Sequence, residues 1–385
     1  MKVRYTYRVR VSRASVRLLE AEWDACRWVW NQCVELDSKS RRASVARPQN
    51  GDLDRLLTAW RAEHEWLRAC SQNAQQQTIR DFCQARADAR AIRKRGGRRG
   101  DRRFRSRRRA LPTLNFTRSG PFRLRDGRLL LPHGIVLRPV WSRELPSDPS
   151  SVRIFRDALG RWHASFVVER EADPLPATGR AVGVDWGVKA VAATTDQQFD
   201  LPHTPHRDRA QRALARRQRQ MARRRPAPGR AASKGYKAAK RRAAREHAQL
   251  KARRQDEARK WAVRLVREFD QIAVEDFKPL FMFGGTLAAR AASARTAAAR
   301  RALEDAAAKH GRELMVVPAA GTTQTCSSCG ARAKHHLTLS DRTFECDSCG
   351  FVADRDMNAA RNVAARAGFD PAGADRVRQG VSLAA

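Results

Sequence analysis

Four cysteines and three isolated carboxylates are the residues of this chain whose types and spacing could do chemistry. Cys326 and Cys329 form one C-x2-C pair, and Cys346 and Cys349 form a second pair after sixteen intervening residues. This spacing is typical of tetrahedral zinc held by four thiolates, which leaves no open coordination position. The sequence therefore predicts a structural Zn²⁺ site at these cysteines.

The three carboxylates each lie in or beside an apolar segment, where an unpaired charge is costly. They are Asp185 in AVGVDWGVKA, Glu275 in QIAVEDFKPL and Asp356 in CGFVADRDMNAARN. Short apolar strands lead to the first two, and Asp356 opens a helix. Carboxylate oxygens suit Mg²⁺, and a pair of such ions can activate water against a phosphodiester. The pattern predicts a divalent-metal site, although each acid alone could instead close a turn, pair with an arginine or cap a helix.

The charge balance indicates a polyanionic partner. Lys and Arg number 78 against 40 Asp and Glu, which gives a formal net charge of +38. Arginine matches phosphate oxygens in bidentate fashion, so nucleic acid is the expected ligand, with steeply salt-dependent binding. Residues 207–254 alone hold 19 Lys or Arg and two acids, and we expect them to form a basic helical hairpin. The run Arg90–Arg109 contains Phe104 and is predicted to be a flexible nucleic-acid contact that orders on binding.

The elements that must position these residues follow from hydropathy periods. Residues 2–11 alternate apolar and basic side chains, which predicts a half-buried strand. Residues 12–109 show helical spacing, and strand patterns with turn signals at Asp126-Gly127 and Gly160 follow. These features predict a β-barrel-like domain with an inserted helical lobe. The tryptophans of the lobe have helical spacing and are predicted to pack in its core; they are Trp23, Trp30, Trp60 and Trp66.

Four motifs together resemble TnpB, the transposon-encoded RNA-guided nuclease related to miniature type V CRISPR effectors. They are GVDWGVKA, VEDF after a basic helix, TTQTCSSCG followed by ECDSCG, and DRDMNAARN. The order of an Asp on a strand, a Glu after a strand and an Asp before a helix is similar to the RuvC branch of RNase H-like nucleases. The resemblance extends from the first strand to about Ala365, and it leaves open whether the protein belongs to a transposon or a CRISPR system.

The resemblance implies that Asp185, Glu275 and Asp356 are the catalytic triad and bind two Mg²⁺ ions. Asp356 fills the Asp-x-Asn-Ala-Ala position of the family, so Asp354 is expected either to cap the helix or to support the catalytic acids from beside them. The implied fold is a mixed α+β and α/β multidomain protein in which a RuvC domain carries an inserted zinc ribbon. The expected parts are a wedge domain at 1–11 and 110–176, a recognition lobe at 12–109, the RuvC domain at 177–320 and 353–367 with its basic hairpin at 207–267, the zinc ribbon at 321–352 and a disordered tail at 368–385.

By the same resemblance, the protein would bind a guide RNA and cut target DNA, both double-stranded and single-stranded. Two alternatives remain open at this point: an RNA-guided repressor whose nuclease is inactive, and a transposase that joins DNA ends itself. The start of the chain is charged, and no apolar run is long enough for a membrane span. We therefore expect a cytoplasmic protein without a membrane partner.

Overall fold

The chain divides into two compact units, residues 1–170 and 171–385. The computed structural model describes residues 1–94, 96, 97, 100, 102–107, 110–117, 120, 122–187, 190–202, 205–227, 229–276, 287–334, 337 and 341–369. The predicted disordered tail lies outside this part of the chain from residue 370 onward. Among the described helices, none combines the length and apolar character needed to cross a membrane.

The first unit combines a seven-stranded sheet with four helices. Its elements are β1 (Lys2–Val11), α1 (Arg13–Arg42), α2 (Asn50–Glu63), α3 (Glu65–Arg68), α4 (Gln72–Lys94), β2 (Thr113–Thr117), β3 (Arg123–Arg125), β4 (Arg128–Leu131), β5 (Ile135–Pro139), β6 (Ser151–Arg156) and β7 (Trp162–Glu169). The strand order is β2-β6-β7-β1-β5-β4-β3, and every pairing is antiparallel. Both predicted hairpins are confirmed. No pairing joins the edge strands β2 and β3 among the described residues, so the observed pairings form an open sheet.

Strand β1 shows why this sheet forms. Tyr7 and Val9 are buried on one face, while the basic side chains between them are exposed, as the alternation predicted. The same core receives Leu19 and Trp23 from α1, so this helix packs on the sheet with one stripe. Another stripe of α1, including Val29, packs against α2, α3 and α4. Helix α1 therefore joins the helical lobe to the sheet, and α4 adds further contacts to β2.

The tryptophans of the lobe differ in their surroundings. Trp23 and Trp30 are buried and Trp60 packs against the helical core, as predicted. Trp66 is 47% exposed, and its ring stacks on His64 with an interplanar angle of 26°. Core packing was therefore the wrong prediction for Trp66, because the short helix α3 lies at the surface and places Leu67, rather than Trp66, in the core.

The second unit is a five-stranded mixed sheet with helices on both faces. Its elements are β8 (Ala181–Asp185), β9 (Ala190–Thr194), a 3₁₀ turn (Gln197–Phe199), β10 (Leu201–Pro202), α5 (Pro205–Arg223), α6 (Lys234–Glu268), β11 (Gln271–Glu275), α7 (Leu287–His310), β12 (Glu313–Val317), β13 (Thr343–Glu345), β14 (Val352–Asp354) and α8 (Arg355–Arg366). The strand order is β10-β9-β8-β11-β12. Strands β8, β11 and β12 are parallel, and β9 pairs with β8 as an antiparallel hairpin. Strands β13 and β14 form a separate ribbon.

The alternation of β8 assigns its two faces to different helices. Val182 and Val184 pack in a cluster with Trp261 of α6 and Leu303 of α7. Gly183 points the other way, toward the backbone of α8. The two long helices therefore cover one face, and α8 lies directly on the opposite face of the sheet.

Candidate functional site

The three predicted carboxylates converge at one end of the five-stranded sheet. Asp185 is the last residue of β8 and Glu275 is the last residue of β11. These strands are adjacent and parallel, with Val184 paired to Val274, so the two acids leave the sheet side by side. Asp356 is the second residue of α8, the helix that packs against β8. Residues separated by about 90 and 80 positions thus meet at one site.

Burial and mutual repulsion dominate the electrostatics of this acidic cluster. Asp185 is 5% exposed, and burial raises its pKa well above the usual range; Glu275, which shares a hydrogen bond with it, and then Asp356 raise it further. Burial also raises the pKa of Glu275. The Thr322 hydroxyl donates to Glu275 Oε1 at 3.3 Å, and Trp186 Nε1–H donates to the Glu275 carbonyl at 3.2 Å. The backbone and the carboxylate at the end of β11 are therefore both fixed.

The third acid is held at the start of α8. Asp354 Oδ1 accepts the N–H groups of Asp356 at 2.9 Å and Met357 at 3.2 Å, which confirms its expected role as helix cap. The Arg355 guanidinium donates to Asp356 Oδ1 at 3.2 Å, and both side chains are almost fully buried. Arg355 was not among the predicted site residues, because nothing in the sequence indicates that its side chain folds back onto the adjacent Asp356.

A fourth carboxylate lies near this cluster and was also missed. Asp200 follows the 3₁₀ turn, and its Oδ1 accepts the backbone N–H of Thr194 at 2.7 Å. Burial raises the pKa of Asp200, and the negative charges of Asp354 and Asp356 raise it further. The hydrogen bond to the end of β9 could be recognised only after the strands had been placed.

The donor set at the acidic cluster fits a hard divalent cation. Asp185, Glu275 and Asp356 offer only carboxylate oxygens, the ligands that Mg²⁺ prefers. Close, buried carboxylates repel one another, and a cation between them would relieve that repulsion. The arginine beside Asp356 offsets part of this charge. These three residues could therefore hold magnesium, as the sequence analysis predicted.

The four predicted zinc ligands also come together. Their sulfur atoms all lie within 4.8 Å of one another. Cys326 Sγ lies 3.7 Å from Cys349 Sγ, and Cys329 Sγ lies 3.6 Å from Cys346 Sγ. Tetrahedral zinc with Zn–S bonds of about 2.3 Å requires sulfur separations of roughly 3.8 Å. The cysteines therefore have the spacing of a closed, four-thiolate zinc site.

Two asparagines of α8 connect the cysteine loop to the acidic cluster. Asn358 is fully buried; its Oδ1 accepts Ser327 N–H at 2.9 Å, and its Nδ2 donates to the Thr325 carbonyl at 2.8 Å. Asn362 Nδ2 donates to the carbonyls of Thr322 and Thr325, at 2.8 and 2.6 Å. The side-chain hydroxyl of the same Thr322 donates to Glu275. The loop around the first cysteine pair is thus tied both to the helix that bears Asp356 and to Glu275.

The basic hairpin has the predicted form. Helices α5 and α6 pack against each other, and the connection contains Pro226 and Gly229, whose φ of +83° suits glycine. Most of the described Lys and Arg side chains of these helices are exposed or half-buried, and Arg217 lies 4.0 Å from Glu246. The hairpin therefore presents a long surface of nearly uniform positive charge.

Part of the basic run of the first unit is anchored to α1 among the described residues. Residues 102–107, here called the basic strap, are tied to α1 by three hydrogen bonds to the main chain of two residues, Arg103 and Arg105. Trp30 Nε1–H donates to the Arg103 carbonyl at 3.1 Å. The Asn31 side chain accepts Arg105 N–H at 2.7 Å and donates to the Arg105 carbonyl at 3.2 Å. The Arg105 guanidinium lies 3.5 Å above the Trp30 ring, and burial lowers its pKa to about 10. Phe104 remains 60% exposed between these anchors.

The chain is similar in sequence to two family models and to known proteins. Residues 165–281, which include Asp185 and Glu275, match a family model described as "Probable transposase". Residues 297–363, which include the four cysteines and Asp356, match "Cas12f1-like, TNB domain". A "Putative RNA-guided DNA endonuclease" of Streptomyces pristinaespiralis is 33% identical over 373 residues, 95% of this chain and 89% of the relative.

A second relative and a solved structure are similar over almost the whole chain. The relative is the "Putative RNA-guided DNA endonuclease InsQ" of Escherichia coli K12, which is 26% identical over 89% of this chain and 86% of its own length. The solved structure is a cryo-EM complex of Cas12f1 with single guide RNA and target DNA. It aligns with a TM-score of 0.46 and 12% identity, over 94% of this chain and 98% of that chain.

Proposed function

Because this chain belongs to the TnpB-like family of RNA-guided DNA endonucleases, we propose that it binds a guide RNA and cuts DNA at a single RuvC-type site. Pairing between RNA and DNA would select the target, and the protein would read only a short DNA motif beside it. Its excess of Arg and Lys suits a protein that holds nucleic acid mainly by phosphate contacts. The basic hairpin and the basic strap are the surfaces proposed for those contacts.

The convergence of Asp185, Glu275 and Asp356 carries the nuclease proposal. A mixed sheet that ends in two adjacent acids, covered by a helix that supplies a third, supports the assignment of an RNase H-like fold. The three carboxylates would hold two magnesium ions, which supply an activated water and stabilise the departing oxygen of the phosphodiester. DNA strands would pass through this one site in turn.

The neighbouring residues keep the three acids in position. Thr322 donates to Glu275, which limits the rotation of that carboxylate. Arg355 donates to Oδ1 of Asp356 and so limits the rotation of that carboxylate. Asp354 satisfies the free N–H groups at the start of α8, so the helix begins where Asp356 needs it.

The cysteine cluster is proposed to hold structural zinc. Four thiolates complete the coordination of Zn²⁺, so this metal would not act on substrate. The bonds of Asn358 to Ser327 and Thr325 would carry the order of the zinc loop to α8. Zinc would therefore support cleavage indirectly, through the position of Asp356.

The remaining domain assignments are also proposals. The wedge domain, proposed at 1–11 and 110–176, and the recognition lobe at 12–109 are supported up to Arg170 by the sheet and the four helices of the first unit. The RuvC domain at 177–320 and 353–367 and the ribbon at 321–352 are supported by the second unit. The helices of the proposed recognition lobe contact β2 and β5 of the sheet, and the ribbon strands β13 and β14 contact α8, the helix that follows them.

The proposed function can be tested with the protein and the RNA that copurifies with it. That RNA would be sequenced, transcribed with new guide sequences and used against plasmids with randomised flanks. We expect cutting beside one flanking motif with magnesium and no cutting with EDTA. Asp185→Ala should abolish cutting and leave guide binding nearly unchanged, whereas Asp256→Ala, at an exposed acid of α6, should cut normally.

The other outcomes identify the alternative functions. Guide and target binding without cutting by the wild-type protein would indicate a repressor and would contradict the nuclease proposal. Absence of any bound RNA would contradict RNA guidance and would favour DNA transposition. Loss of RNA binding in Asp185→Ala would mean that the acidic cluster has a structural role.

A further inference from the structure

A cavity of about 670 Å³ lies between α5, α6 and α7, among residues that neither the metal sites nor the acidic cluster use. Its apolar wall includes Leu214 and Ala215 of α5, Leu250 of α6 and Ala298 of α7. A volume of this size is within the range that binds small molecules, roughly 300–1,000 Å³. The cavity is therefore large enough for one nucleotide.

The charged side chains of this cavity have a single sign. They are Arg212, Lys251, Arg254 and Arg301, with His247 beside them, and no carboxylate is among the described lining residues. Arg254 is half-buried, and its Nε is shielded from solvent without a hydrogen-bond partner among the described residues. Burial lowers the pKa of Arg254, and nearby Arg295 lowers it further. The Nε–H of Arg254 is therefore a buried donor that an anionic ligand in the cavity could satisfy.

We infer that this cavity binds one unpaired nucleotide of the guide RNA, with its phosphate on Arg254 and its base against the apolar wall. Three glutamines, Gln211, Gln218 and Gln255, line the cavity and can bond base edges or a ribose hydroxyl. RNA is the expected source, because folded RNA offers bulged and looped bases that are already unstacked. A base of duplex DNA would first have to be unpaired and flipped, which costs a few kcal/mol. The inference rests on the proposed guide binding.

Two variants test this inference from opposite directions. Ala215→Trp fills the cavity without changing charge, and Arg254→Gln removes the charge without filling the cavity. Each should weaken binding of the copurified and retranscribed RNA by roughly 10–100-fold, the range expected for a buried charge-assisted contact. The controls are Ala308→Trp and Arg125→Gln, which alter exposed residues outside the cavity, the basic hairpin and the basic strap. They should bind within about twofold of wild type.

Chemical footprinting supplies the positional test. In the wild-type complex, one nucleotide should be protected at its base-pairing edge although it has no pairing partner in the RNA. The same nucleotide should become reactive in the Ala215→Trp and Arg254→Gln complexes. A general loss of protection along the RNA would instead indicate a misfolded protein, and circular dichroism of each variant checks this directly.

Three results would overturn the inference. If the cavity is only a packing defect, Ala215→Trp should raise the melting temperature and leave RNA affinity unchanged. If target DNA fills it, guide binding should be normal and only target binding should weaken. If Arg254→Gln and Arg125→Gln lose equal RNA affinity, Arg254 contributes only through the general positive charge of the protein. Wild-type protein that binds no RNA would instead refute the proposed function itself.

Discussion

A methyl group at Gly183 should damage the acidic cluster by displacing α8, the helix that carries Asp356. A Cβ placed on Gly183 overlaps the Ala360 carbonyl oxygen and lies 2.9 Å from Ala364 N. Both contacts are backbone atoms of α8, so no side-chain rotation can relieve them. Gly183→Ala must therefore push α8, which carries Asp356, away from the strand that carries Asp185.

The size of this displacement sets the expected effect. Ordinary contacts begin near 3.4 Å, so the Ala364 contact alone requires about 0.5 Å and the carbonyl overlap requires more. A shift of α8 of about 1 Å follows. Misplacement of a reacting group by about 1 Å can cost on the order of 100-fold in rate. Overpacking of this kind also costs about 1–3 kcal/mol of stability.

The assay compares cleavage, guide binding and melting temperature for Gly183→Ala and Gly235→Ala. The control glycine lies in the first turn of α6, where an added Cβ meets nothing closer than 3.8 Å. We expect Gly183→Ala to lose about 100-fold in cleavage rate while still binding guide RNA, and Gly235→Ala to match wild type. If Gly183→Ala cleaves at the wild-type rate with a wild-type melting temperature, the close contact of β8 with α8 does not position Asp356.

Three further predictions concern other parts of the molecule. Asn358→Ala leaves the Ser327 N–H without its side-chain acceptor, at about 1–3 kcal/mol, and removes one of the two side-chain donors to the Thr325 carbonyl, so chelator should remove zinc faster and cleavage should fall. Asn31→Ala, which removes two side-chain bonds to the basic strap, should leave zinc retention unchanged and weaken nucleic-acid binding. Cys346→Ser should lose stoichiometric zinc, measured by mass spectrometry, together with cleavage, and full zinc content in that variant would contradict the four-thiolate site. Burial raises the pKa of Glu22 to about 7, partly offset by the Ser71 N–H and Arg61, so its ionisation opposes folding increasingly as pH rises from about 4.5 to about 7. Glu22→Gln should therefore stabilise the protein by up to about 2–3 kcal/mol more near pH 8 than near pH 5 in denaturant titrations, and an equal effect at both pH values would show that Glu22 is already ionised without penalty.

Short-range patterns in the sequence determined much of the secondary structure and both candidate metal sites. The alternation of residues 2–11, the Asp126-Gly127 turn and the C-x2-C pairs are local features, and each reappears in the structure. The three acids were identified through motifs that resemble a family, since each acid alone was ambiguous. Periodicity also assigned the helical lobe, although it placed Trp66 in the core, whereas this side chain lies exposed on a short helix.

Tertiary structure alone decided which residues support those sites. Three of these supporting contacts join positions tens to more than a hundred residues apart. They are the bond from Thr322 to Glu275, the contact of Gly183 with α8, and the bonds of Asn31 to the basic strap. The cavity beneath the basic hairpin likewise requires three helices from separate parts of the chain. Periodicity and ligand spacing report the conformation of a single segment. Hydrogen bonds and close backbone contacts between segments depend on how the segments pack. The supporting residues can therefore be identified only from the tertiary structure.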